Sequence, residues 1–106
     1  MKPVYVMSIA YDSLKVAERD VREINKEITS ASGGDFKLAM KTQQSMLILF
    51  SSDVPMDQLS ERLKGLAFRG IRYVLFPTDR ILSGFLDTHV LDWLHLRLPR
   101  PVPKKP

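Results

Sequence analysis

The run Val4-Tyr5-Val6-Met7-Ser8-Ile9-Ala10 is apolar at nearly every position and passes through Tyr11-Asp12 straight into a helical pattern. A strand of that kind suits cover on both faces, which puts residues 3–10 at the centre of a sheet. Asp12 then stands at the carboxyl edge of a central strand, and any chemistry in the chain should begin there.

From residue 13 to 30, Leu14, Ala17, Val21, Ile24 and Ile28 recur at spacings of three and four, the stripe of an amphipathic helix. Asp12 or Ser13 is placed to cap its first turn, and Ser32-Gly33-Gly34 to stop it. Phe36, Leu38 and Met40 alternate with Lys37, Ala39 and Lys41, predicting a strand with one buried face. The connection Thr42-Gln43-Gln44 carries neither glycine nor asparagine, so no turn type follows from it. Met46 to Phe50 is uniformly apolar and reads as a second central strand.

Ser51-Ser52-Asp53 and Pro55 then introduce a second helix, whose stripe is Met56, Leu59, Leu63 and Leu66 and which Gly65 or Gly70 closes. Ile71 to Phe76 predicts the last strand, ended by Pro77 and Thr78. A third helix starts at Asp87 or Thr88, with Val90, Leu91, Leu94 and Leu98 on one side. Residues 99–106 are too rich in proline to continue it and form an extended basic tail beyond a domain of residues 1–98.

The order strand, helix, strand, strand, helix, strand is that of an α+β, ferredoxin-like βαββαβ sandwich with an additional C-terminal helix. Such a topology seats the first and third strands in the middle, and these are the two most apolar. Two helices cover only one face of that sheet. The third helix or a second protomer must cover the other, which predicts a homodimer with Phe85 and Trp93 as interface residues.

The 106 residues allow one core, and 44% hydrophobic with 26% charged residues is a globular composition. The absence of cysteine removes disulfides, thiolate catalysis and cysteine-based zinc sites, and fits an intracellular, cytoplasmic protein. No apolar stretch reaches the length of a membrane span, and no secretory leader pattern opens the chain. A net charge of +4 and a pI near 9.6 favour acidic partners. Arg69, Arg72, Arg100, Lys104 and Lys105 are the candidate phosphate contacts for a nucleic acid.

Tyr11-Asp12, the segment Ser51-Ser52-Asp53-Val54-Pro55-Met56-Asp57-Gln58-Leu59-Ser60-Glu61-Arg62-Leu63, and Ser83-Gly84-Phe85 followed by Val90-Leu91-Asp92-Trp93-Leu94 resemble the SinR-like family of small ferredoxin-fold proteins. That family is related to the small CRISPR-associated ferredoxin-fold nucleases and adaptors and to the VapD-type ribonucleases. The resemblance implies a homodimer and a link to nucleic acid or to phage, plasmid or defence systems. Through the related nucleases it also implies a metal-dependent role for Asp12, with the equivalent aspartates of two protomers brought together. The second strand departs from the family pattern, having only Phe36 for an aromatic cluster, and the basic tail is an addition.

One Asp12 per chain is too few for a Mg²⁺ or Mn²⁺ site, which needs several hard oxygen ligands. A strand-to-helix junction also attracts aspartate simply as a cap. His89 and His95, six apart on a helix, do not suit joint metal ligation, and no acyl-transfer constellation can be assembled. The preferred expectation is a non-enzymatic dimer, without cofactor, that binds a protein or nucleic acid. The alternative is a metal-dependent endonuclease using Asp12 from two protomers.

Overall fold

Strand β1 (Val4–Tyr11) is hydrogen-bonded along both sides, to β3 (Ser45–Ser51) and to β4 (Ile71–Thr78). Its odd-numbered residues are buried beneath the helices, but on the other face Val4 is buried, Val6 half-buried and Ser8 and Ala10 exposed, so the cover expected on both faces is only partial. The computed structural model describes residues 2–64, 71–79 and 87–98. With α1 (Leu14–Ser32), β2 (Phe36–Lys41), α2 (Met56–Lys64) and α3 (Thr88–Arg97), they form a ferredoxin-like α+β fold with an extra C-terminal helix. The four strands lie in the order β2-β3-β1-β4, every neighbouring pair antiparallel. The basic tail lies outside the described residues, as do Gly65, Leu66 and Gly70.

Helices α1 and α2 cover one face. Ala17, Val21, Ile24 and Ile28 of α1 and Leu59 and Leu63 of α2 pack on Tyr5, Met7, Ile9 and Tyr11 of β1 and Met46, Ile48 and Phe50 of β3. Each large aliphatic side chain fully buried here contributes about 1.5–3 kcal/mol. The rings of Tyr5 and Phe50 meet at 5.4 Å between centroids, and the Tyr5 hydroxyl donates to the Val54 carbonyl at 3.2 Å. Gly33 and Gly34 take φ of 64° and 86°, and the Gly34 N–H reaches back to the Thr29 carbonyl at 3.1 Å, closing the α1 C-terminus as the paired glycines predict. Ser52 lies between α1 and α2, donating to the Ala31 carbonyl and accepting from the Val54 N–H at 3.0 Å.

The hairpin between β2 and β3 closes without any residue at positive φ. The Thr42 hydroxyl oxygen accepts from the N–H groups of Gln44 (3.1 Å) and Ser45 (2.9 Å), standing in for a backbone carbonyl. The Thr42 carbonyl is left for the Tyr11 hydroxyl, which donates to it at 3.0 Å.

In β2 the expected alternation breaks. The register runs Leu38 against Ile48 but Met40 against Leu47, so Ala39 is the extra residue of a bulge. Ala39 is buried beneath α3, while Leu38 and Met40 are exposed and lie on opposite faces of the sheet. The last strand runs two residues past its expected end, because Pro77 occupies the sheet edge, where no ladder bond needs its N–H.

Helix α3 packs across the second face. Val90, Trp93, Leu94 and Leu98 lie on Val4, Ala39 and Leu49. Trp93, rather than the expected Leu91, completes the buried side of the helix.

Candidate functional site

Asp12 lies where the sequence places it, just past β1, with the Tyr11 N–H bonded to the Gln44 carbonyl at 2.9 Å and Tyr11 paired with Ile71 of β4. Its carboxylate is exposed and makes no hydrogen bond or ion pair among the described residues. Ser13 occupies the N-cap position, its carbonyl accepting from the Ala17 N–H at 3.1 Å. Tyr11 is buried, and its hydroxyl is committed to the hairpin instead of to Asp12. Among the described residues no three acidic or histidine side chains converge as a metal would require. Arg69, a candidate phosphate contact, lies outside the described residues.

Asp53 pairs with Lys2 at 3.7 Å, and His89 is exposed 3.7 Å from Asp87. Asp87 occupies the N-cap of α3 without a side-chain capping bond. Of the candidate phosphate contacts, Arg72 is exposed on the α3 face opposite Ala10, and Arg100, Lys104 and Lys105 lie outside the described residues.

Of the two expected interface residues, Phe85 lies outside the described residues and Trp93 is 6% exposed, packed within its own chain. The Trp93 indole N–H donates to Asp35 Oδ1 at 3.0 Å, and Arg97 Nε donates to Asp35 Oδ2 at 3.0 Å while Nη2 also holds Oδ1. The same guanidinium stacks over the Trp93 ring, 4.1 Å from its centroid, and its Nη1 donates to the Trp93 carbonyl at 2.9 Å. The cluster clamps the last turn of α3 to the start of β2. It also takes Arg97 out of the pool of cations open to a phosphate. Sequence reading missed Asp35 because its partners lie 58 and 62 residues away. Only the four-residue spacing of Trp93 and Arg97 was available as a signal.

The Arg97 guanidinium holds the Asp35 carboxyl below its ordinary value, against a smaller opposing effect of burial. A carboxyl lowered on folding contributes stability that is complete above its unfolded value, near about 3.9, and lost as pH falls through the lower folded value. Trp93 is the only tryptophan, so its fluorescence reports this cluster directly. On acidification the emission is expected to shift below the ordinary aspartate range, and Asp35→Asn should abolish that step. At neutral pH, Asp35→Ala should cost about 1.5 kcal/mol, the low end for hydrogen bonds to a charge, because the carboxylate side chain is 33% exposed.

Beside this clamp an open depression of about 580 Å³ runs between the start of β1, the end of β4 and the last turn of α3. Lys2 and Arg97 line it, and each already faces a carboxylate.

Helix α3 leaves part of its sheet face open. Val74 and Phe76 of β4 are 53% and 44% exposed there, and Met40 is 54% exposed across the sheet on β2. Val74 pairs with Ser8 and Phe76 with Val6, so the two apolar side chains project from the edge strand beside the central one. No helix among the described residues is long and apolar enough to cross a membrane. No family model, curated protein or solved structure matches the chain.

Proposed function

We propose that this protein is a non-enzymatic homodimer that works by binding a macromolecular partner, in the cytoplasm and, by its resemblance to SinR-like proteins, in a phage, plasmid or defence setting. The observation that carries the reading is the pair Val74 and Phe76, apolar side chains held half-exposed on an edge strand after α3 has covered its share of the face. A second copy of the chain removes that surface from water.

The metal-dependent endonuclease remains the second reading, favoured by one feature: the exposed Asp12 carboxylate is not engaged as a cap. Incubating labelled RNA and DNA with wild type and with Asp12→Asn, with Mg²⁺ or Mn²⁺ over a salt series, separates the two. The binding reading predicts no metal-dependent cleavage by either protein. Retention that falls with salt and survives Asp12→Asn makes the partner a nucleic acid, and no retention makes it a protein. Metal-dependent cleavage that disappears in Asp12→Asn overturns the binding reading.

A further inference from the structure

The two edges of the sheet are built differently. β2 carries Lys37 and Lys41 and a bulge at Ala39, features that discourage another strand from adding to an edge. β4 has the uncharged run Tyr73-Val74-Leu75-Phe76 and an uninterrupted register with β1.

The hydrogen-bond phase shows which β4 groups face outward. The bonds Tyr11 N–H to Gln44 carbonyl and Ser52 N–H to Pro3 carbonyl turn the odd-numbered residues of β1 toward β3. The even-numbered residues therefore turn toward β4, and their partners Arg72, Val74, Phe76 and Thr78 are the β4 residues bonded inward. Ile71, Tyr73, Leu75 and Pro77 present their backbone groups to the outer edge. Pro77 also faces outward and has no N–H to offer, so strand addition on this edge is confined to the stretch around Leu75. Leu75 has no partner for its outward N–H and C=O among the described residues. Tyr73 and Thr78 have further interactions of their own.

We infer that two copies join through β4, antiparallel about a two-fold axis at Leu75, to form a continuous eight-stranded sheet. This inference rests on the homodimer reading and specifies its interface. At the axis the two Leu75 residues exchange both backbone bonds. On either side Val74 of one copy faces Phe76 of the other, a closely spaced aliphatic–aromatic pair made twice on the α3 face. Arg72 faces Thr78 of the other copy and not a second Arg72, so no like charges oppose each other across the seam.

This assembly also separates the two readings of Asp12. Asp12 follows Tyr11, which pairs with Ile71, four residues from the axis. With strands about 4.8 Å apart and a rise of about 3.3 Å per residue, the two Tyr11 residues are about 30 Å apart, and each Asp12 lies one residue further from the axis. Two carboxylates at that distance cannot share a metal.

The cysteine-free chain permits a direct test. Val74→Cys and Phe76→Cys are prepared separately, mixed, oxidised and resolved by mass, alongside light-scattering masses of each protein before oxidation. Only the Leu75-centred register brings position 74 against position 76. Equivalent positions are then diagonal neighbours beyond the reach of a disulfide, about 7 Å between Cα atoms. The mixed 74–76 species should exceed either self-linked species by about tenfold. Predominant self-linking of one variant overturns the register. A dimeric mass with no linking overturns the β4 seam while leaving the homodimer intact, and a monomeric mass overturns both.

Discussion

Replacing Trp93 with alanine is expected to destabilise the fold by about 3–5 kcal/mol, the range for deleting a buried aromatic side chain. Total stabilities of such domains are about 5–15 kcal/mol, so this is a large fraction of the whole. Three losses coincide in that one substitution. The indole leaves a void between Val90, Leu94 and the strand residues Val4 and Leu49. Arg97 loses the ring it stacks on, and Asp35 loses its indole donor. Urea unfolding followed by circular dichroism measures the effect. Trp93→Phe separates its parts: much of the packing returns, while the missing donor should still cost about 1 kcal/mol. Leu96→Ala is the control on the same helix. Leu96 is 80% exposed, and its truncation should fall within about 0.5 kcal/mol of wild type.

The double substitution Val74→Lys, Phe76→Lys is expected to abolish the dimer without unfolding the protomer. Both side chains are already half in water in the isolated chain, so the folded monomer tolerates the exchange. In the joined sheet each lysine would instead face a lysine of the other copy with its charge partly desolvated. A penalty of about 3 kcal/mol or more weakens association by about a hundredfold. Met40→Lys is the discriminating comparison, since Met40 is equally exposed but belongs to the opposite edge of the sheet. That variant should stay dimeric. Loss of the dimer in both would indicate packing of whole sheet faces in place of the β4 seam.

Much of the architecture was legible in the residues. Val4 to Ala10 and Met46 to Phe50 mark the two central strands, and the register places β1 between β3 and β4, although Ser8 and Ala10 stay exposed on the α3 face. Gly33 and Gly34 end α1 because their positive φ closes its last carbonyl bond. What escaped is what depends on distant partners. The exposed Met40 follows from a bulge that the alternation of Phe36, Leu38 and Met40 does not announce. Trp93 reads as an interface aromatic until Asp35, 58 residues earlier, appears beside its indole nitrogen. Tyr11 is the donor that lets a hairpin without glycine satisfy its Thr42 carbonyl, a partner 31 residues away. Its neighbour Asp12 could be placed at the right edge of the sheet, but whether it capped α1 depended on whether Ser13 took that position.

The proposed working form of the chain is a homodimer. Light scattering across a dilution series tests it most directly. The account predicts a wild-type mass of twice the 12.1 kDa chain that falls to the single-chain value in Val74→Lys, Phe76→Lys. A wild-type mass of one chain at every concentration would contradict it.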